Sequence, residues 1–248
     1  MSHEPESADD TSTGERIGTA RISPSEAASP RWRRRKEARP GEIIAAALAS
    51  FAERGFAGTR LDDIAARAGV TRGTLYLYFP NKEELFKAVV RETIVPILSE
   101  AETMAAEAEG PTAALLTKLI LFFPDAVFGG PASAIPKLVI SEAANFPDVA
   151  KFYLEEVILR GRRLVRSIIR RGIARGEFRA VDEEHAFYCV MAPMLLAALW
   201  QHSFRRYDET AMDPHALARV HVDLLLNGLV AEPSQQEGPQ PRQGAASP

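Results

Sequence analysis

Two short apolar patterns at helical spacing, Leu61, Ile64, Ala65 and Ala68, then Leu75 and Phe79, are separated by one glycine, Gly69. Helices this short do not hold themselves in water, so the pair must fold against each other and against something larger. Gly69 permits the tight turn between them, and Thr71 is a natural N-cap for the second helix. Two short helices across a glycine turn predict a helix-turn-helix. At about 100° per residue, Leu75 and Phe79 lie on one side of the second helix and anchor it. Gly73, Thr74 and Leu77 fall on the far side, with Tyr76 and Tyr78 on the flanks. Gly73 costs about 1 kcal/mol of helix propensity relative to Ala, a loss that makes sense where another surface comes very close. A DNA major groove, which admits an α-helix, is such a surface.

The charge distribution points the same way. The chain of 248 residues carries a net charge of −3. Residues 1–30 and 93–248 each carry −4, whereas residues 31–92, with 13 basic and 8 acidic groups, carry +5. Positive charge is therefore concentrated around the two short helices, as a nucleic-acid surface requires. Within it, "RWRRRKEAR" at 31–39 supplies a basic arm, Arg33, Arg34, Arg35 and Lys36. Such arms enter a minor groove, follow phosphates, or act only as a solvated tail with nonspecific attraction. A preceding helix is expected from near Pro40, with Ile43, Ile44, Ala47, Leu48 and Phe51 as its apolar stripe. It should end at Gly55 in a left-handed cap, with Phe56 folding back onto Phe51. After Phe79, Asn81 and Glu84 form a capping-box pattern that starts a fourth helix. Lys82 then falls in a first turn, where the helix dipole disfavours a cation and an external phosphate would resolve the mismatch. The plainer alternative is an exposed lysine with no role.

The rest of the chain reads as helical, with no alternating strand pattern and no internal repeat. Residues 1–30 and 232–248 are rich in polar residues and proline and are expected to be disordered. Helices are expected at 82–109, 112–123, 135–144, 148–175, 183–205 and 214–230, with Pro96, Gly110, Pro111, Pro147 and Pro214 as punctuation. The domain division is thus an arm and helix-turn-helix domain at 31–92 and a larger helical domain at 93–231. Residues 186–200 and 216–230 are apolar on nearly every face, so each must be covered on two sides. One cover is the domain itself and the other a second subunit, giving a two-fold homodimer. Met104, Phe122, Phe123, Phe128, Tyr153, Met191, Met194 and Trp200 are candidates to line a pocket for a hydrophobic effector, with ordinary core packing the alternative for each. Arg162, Arg163, Arg166, Arg170 and Arg171 read as a solvated basic helix face.

Residues 42–90, and within them "SFAERGF", "IAARAGV", "TLYLYF" and "NKEELF", resemble the DNA-binding domain of TetR-type transcriptional regulators. The resemblance implies an all-α homodimer with a small N-terminal DNA-binding domain and a divergent helical domain that binds an effector. Carried over by position, it implies that Thr71, Arg72, Gly73, Thr74 and Tyr78 approach base edges or nearby phosphates. Tyr76 and Lys82 would clamp the phosphate backbone, and Thr59 would lie at the start of the second helix, where backbone contacts are common. Arg60 departs from the small hydroxyl residue usual in the family, which leaves that helix's cap open and adds a possible phosphate contact. Residues 135–157 resemble the middle of the effector domain in one branch of the family.

Other function classes are disfavoured. No G-x-S-x-G, P-loop or H-E-x-x-H pattern occurs. His215 and His221 are about 240° apart on a helix and do not converge on a metal. No cofactor or catalytic residue is expected. One cysteine, Cys189, and the absence of any run of about 18 apolar residues fit a cytoplasmic protein without a membrane span. The expectation is a ligand-responsive DNA-binding regulator of double-stranded DNA, a repressor rather than an activator. An interaction module that has lost DNA binding is the alternative from another class.

Overall fold

The structure, a computed structural model, describes residues 30–210 and 212–230. Packing divides the chain between Glu37 and Ala38, and the body from Ala38 onward is described by itself. The ordered elements are α1 (Pro30–Gly58), α2 (Leu61–Arg67), α3 (Arg72–Tyr78), α4 (Lys82–Glu107), α5 (Thr112–Phe123), α6 (Ile135–Glu142), α7 (Pro147–Tyr153), α8 (Leu159–Ala174), α9 (Glu183–Ser203) and α10 (Pro214–Leu229). Single π-type turns extend α5 through Pro124–Phe128 and join α7 to α8 through Leu154–Ile158. Among the described residues the only β pairing is one antiparallel bridge between Phe178 and Val230. The architecture is all-α, as the periodicity predicts.

The helices fall where the apolar patterns and caps place them, with three differences. Helical backbone begins at Pro30, not near Pro40, which lies inside α1. The run between them is rich in Arg, Lys, Glu and Ala, all good helix formers, and a proline removes only one backbone bond. Gly55 does end the straight part of α1 at positive φ, but at φ 77° and ψ 168° it takes an extended conformation open to glycine, not the left-handed helical one. Phe56 folds back as expected, its ring 5.4 Å from that of Phe51. Third, Pro96 does not punctuate: it lies within α4. Pro96 and Glu92 are both exposed, so the Glu92 carbonyl that loses its donor faces the solvent side of the helix.

Two apolar cores organise the body. The first gathers Ile43, Phe51 and Phe56 of α1, Ile64 of α2, Leu75 of α3, and Leu85, Phe86 and Val89 of α4. It also draws in Ile135, Leu138 and Val139 of α6 and Val149, Phe152 and Tyr153 of α7. The second joins Leu116 and Ile120 of α5, Ile168 and Ile169 of α8, Phe187, Val190 and Met194 of α9, and Ala218, Val222 and Leu229 of α10. The domain boundary expected at 92/93 falls inside α4, a helix whose N-terminal half belongs to the first core. The arginines of α8 are not a free solvated face. Arg162 and Arg166 pair with Glu184, Arg170 pairs with Glu183, and Arg171 donates to the Ala108 and Gly110 carbonyls. These acidic partners are the first turn of α9, capped by Asp182.

Where α8 ends, Phe178 is buried against Gly172 with almost no space between them. A Cβ on Gly172 would lie 2.6 Å from Phe178 Cγ and closer still to Cδ2. Gly172→Ala gains about 1 kcal/mol of helix propensity, but the overpacking it forces costs about 1–3 kcal/mol or more. The variant is therefore expected to unfold at lower urea than the wild type, and an equal or higher midpoint would show that this packing is wrong.

Candidate nucleic-acid interface

The DNA-facing candidates sit on a small scaffold that local sequence specifies well. Thr71 caps α3, its hydroxyl accepting the Thr74 N–H at 3.1 Å and lying 2.9 Å from the Thr74 hydroxyl. Leu75, fully buried, and Phe79, at the end of the helix, hold α3 to the first core. Asn81 caps α4 by accepting the Glu84 N–H at 2.8 Å. The reciprocal half of the capping box gives way to another pairing, since the Glu84 carboxylate accepts from Lys87 at 2.8 Å.

With α3 fixed in this way, Thr71, Arg72, Gly73 and Tyr76 are exposed together, and Thr74 and Tyr78 are half-buried beside them. Tyr78 also packs against the first core. Arg60 is exposed at the N-cap of α2 and makes no side-chain cap, since a guanidinium has no acceptor to offer the free N–H groups. Arg72 is held in place. Its Nε lies 3.1 Å from Asp62 Oδ1, Nη1 donates to Oδ2 at 3.2 Å, and the guanidinium sits 5.4 Å from the Tyr76 ring centroid. The bond to the Tyr76 hydroxyl and the Asp62 charge together raise its pKa, so it is a permanent cation. The side chains of Arg33, Arg34, Arg35 and Lys36, the expected arm, lie outside the described residues.

Two of the expected residues are turned inward. Thr59 is only 2% exposed, and its hydroxyl donates to the Gly55 carbonyl at 2.7 Å and lies 3.1 Å from that of Ser50. It ties the end of α1 instead of facing outward. Lys82 is turned inward as well. Its ammonium donates to the carbonyls of Phe56 (2.8 Å), Thr59 (3.1 Å) and Ala57 (3.3 Å), and lies 4.6 Å from the Phe56 ring centroid. Three donors meet three acceptors, which leaves none for a phosphate in this arrangement. The physical reason is that a cation disfavoured at the start of α4 is favoured at the carbonyl end of α1. Burial lowers the Lys82 pKa, opposed by Glu83 and Glu142.

Sequence reasoning missed the groups that brace this junction from far along the chain. Glu142 of α6 accepts the Ala57 N–H at 3.3 Å, and Phe146 packs edge-on against Phe56 at 4.6 Å. No local pattern signals either contact, because each is made across more than eighty residues of chain.

The pocket candidates divide between the cores. Tyr153 is buried in the first, and burial pushes its phenol pKa up. Met194 is buried in the second, with Phe123 and Met191 packed against it. Phe128 meets Phe123 edge-on at 6.3 Å, and Trp200 is pinned by its Nε1–H to Asp208 at 2.7 Å. Met104 and Phe122 are half-buried. Phe123, Met191 and Met194 are placed in or beside the second core, with Phe128 next to Phe123.

Lys82→Met separates the two roles assigned to that residue. As an internal cap, its loss is expected to cost about 1–3 kcal/mol of stability while leaving the salt dependence of DNA binding unchanged. A phosphate contact would instead reduce the slope of log K against log salt by about one with little change in unfolding midpoint. Chemical denaturation and a salt titration on the same variant decide between them.

Comparison with known proteins matches this geometry. Residues 43–89 match the family model for bacterial regulatory proteins of the tetR family, and residues 116–216 that for the tetracyclin repressor-like C-terminal domain. Over 198 residues the chain is 26% identical to the HTH-type transcriptional repressor KstR2 of Rhodococcus jostii, spanning 79% of this chain and 93% of that protein. It is 50% identical over 52 residues to the HTH-type transcriptional regulator RutR of Escherichia coli K12, a match confined to 21% of this chain and 24% of that one. The fold is shared with the transcriptional regulator FadR from Bacillus subtilis, solved with stearoyl-CoA, at a TM-score of 0.61 and 22% identity over 76% of this chain and 98% of FadR. With the two family models together spanning residues 43–89 and 116–216, the chain belongs to the TetR family of bacterial regulatory proteins.

Proposed function

We propose that this protein is a cytoplasmic homodimeric repressor that holds a near-palindromic operator with two copies of α3 and releases it when a small hydrophobic effector binds. The carrying observation is the exposed face of α3, where Thr71, Arg72, Gly73 and Tyr76 stand clear of a helix anchored by Leu75. Arg60, Thr74 and Tyr78 extend that face, and the arm Arg33, Arg34, Arg35 and Lys36 adds charge. Residues 31–92 read DNA in this proposal, and residues 93–231 bind effector and dimerise. Repression needs only occupancy of a promoter; activation would demand a further surface for polymerase.

The dimer face is supported by apolar exposure on α9 and α10. Leu195, Leu196 and Tyr188 on α9, with Val220 and Leu224 on α10, are exposed at helical spacing on two helices that pack together. Two-fold association buries the same face on both subunits. The effector region is supported by Phe123, Phe128, Met191 and Met194 at the second core. FadR's complex with stearoyl-CoA makes long acyl chains the first effector class to screen. α4 links the two cores, tied to α8 by Arg160 with Glu102 and to the turn before it by Arg91 with Glu156. An effector that prefers one setting of α4 changes the spacing of the two α3 helices; one with no preference shifts nothing.

Leu196→Glu with Leu224→Glu, at side chains 55% and 68% exposed, is expected to yield a folded monomer by sedimentation. A variant that remains dimeric would place the interface elsewhere. The DNA reading is tested by fluorescence anisotropy on the duplex upstream of the protein's own gene and on a scrambled duplex. At near-physiological salt the upstream duplex is expected to bind at least about a hundredfold more tightly, a floor set below the usual specificity range of about 10³–10⁷. Failure to bind any duplex, even at low salt, would sink it.

A further inference from the structure

The DNA-facing surface contains one side chain that polar recognition does not use. Leu77 is 76% exposed, the most exposed large apolar residue among those described. It lies about 200° around α3 from the buried Leu75, and Gly73 stands one turn before it on the same face. A Cβ at Gly73 would come no nearer than 4.0 Å to any other group, that group being the Thr71 hydroxyl. Its φ is not among the positive values that favour glycine. Neither packing nor backbone conformation within the chain asks for glycine at this position.

The face is thus a flat patch followed one turn later by an apolar prong, with Arg72, Thr74 and Tyr76 around it. Leu77 belongs to a helix of the first core, whereas the apolar dimer face lies on helices of the second. Along the base edges of the major groove, the apolar feature is the C5-methyl group of thymine; the other groups displayed there are hydrogen-bond donors and acceptors. We propose that Leu77 is a specificity-determining residue that packs on the C5-methyl of one thymine in each half-site, with Gly73 allowing the backbone of α3 to approach closely enough. The inference rests on the protein being a reader of duplex DNA. Arg72 and Thr74 supply polar contacts on either side, and Leu77 makes one position of the site a thymine.

The full-length protein first selects its preferred duplex from a random library. Each thymine of that duplex is then replaced singly by deoxyuridine, which removes only the methyl group. The wild type is expected to lose roughly fourfold in affinity per methyl at one thymine in each half-site, the effect of uncovering one methyl-sized apolar group. Leu77→Ala is expected to bind the thymine and uridine duplexes equally at that position, the non-additivity that marks direct contact. Leu77→Met keeps the apolar reach and should keep the preference for thymine; it carries the test if the alanine variant binds too weakly to titrate. Circular dichroism confirms that both variants fold. A thymine preference of the same size in wild type and Leu77→Ala, its loss in Leu77→Met, or no effect of any methyl overturns the proposal. If the wild type enriches no sequence at all, the DNA-binding reading itself fails, a result distinct from the loss of methyl coupling.

Discussion

Three carbonyl oxygens and one ammonium group fix the geometry on which the DNA-facing side depends. Where α1 breaks at Gly55, the carbonyls of Phe56, Ala57 and Thr59 turn toward one point, and Lys82 at the start of α4 fills it. The Thr59 hydroxyl closes the same break from the other side by binding the carbonyls of Gly55 and Ser50. Beneath them the rings of Phe51, Phe56 and Phe86 meet in tilted and edge-on contacts at 5.4 to 5.7 Å. Hydrogen bonds to a charged donor are worth about 1.5–3 kcal/mol each in favourable cases. They are also directional, so this junction sets the angles among α1, α2 and α4. The orientation of α3 follows, because it touches the core through little more than Leu75, Phe79 and one side of Tyr78.

That junction also explains why α6 and α7 pack into the same core as the helix-turn-helix. The first core is incomplete without Ile135, Leu138, Val149, Phe152 and Tyr153. Glu142 binds the Ala57 N–H at the break itself, and Phe146 lies against Phe56. A displacement of α6 therefore cannot leave the α1–α2 corner untouched. Close-packed interiors do not deform smoothly, and a small shift at such a contact is resolved by repacking. The helix-turn-helix is thus tied to the rest of the body by two packed connections, α4 directly and α6–α7 through the Phe56 corner.

What was legible in the sequence was what adjacent residues decide. The Gly110 and Pro111 break set off a helix at 112–123, and the structure has α5 over those residues. Thr71, Asn81 and Asp182 cap the helices they precede. Partner choice across long stretches of chain was not legible. Lys82 looked like a cation awaiting a phosphate because its nearest sequence neighbours make it electrostatically misplaced, and the carbonyls that satisfy it lie more than twenty residues back. The arginines of α8 looked solvated because Glu183 and Glu184 become their partners only after α9 folds back. Among the pocket candidates, Tyr153 lies in the first core and Met194 in the second, a division that hydrophobicity alone does not signal. Leu77 was visible on the outer face of α3, but only its exposure beside an unconstrained Gly73 gave it meaning.

The same distinction decides which cations near α3 are available to DNA. Lys82 is half-buried under three acceptors, so lending it to a phosphate would strand those carbonyls and uncover the Phe56 ring. Arg72 is different. Its partner Asp62 and its own side chain are both well exposed, and an exposed ion pair of this kind contributes about 0–1 kcal/mol. A guanine edge, which accepts two parallel bonds from a guanidinium, can replace that carboxylate at little cost. Asp62 then acts as a cradle that keeps the Arg72 fork extended over Tyr76 before DNA arrives, reducing the rotamer freedom that binding must remove. Lys82 thus helps build the corner that presents α3, whereas Arg72 keeps an exposed partner that another acceptor can displace.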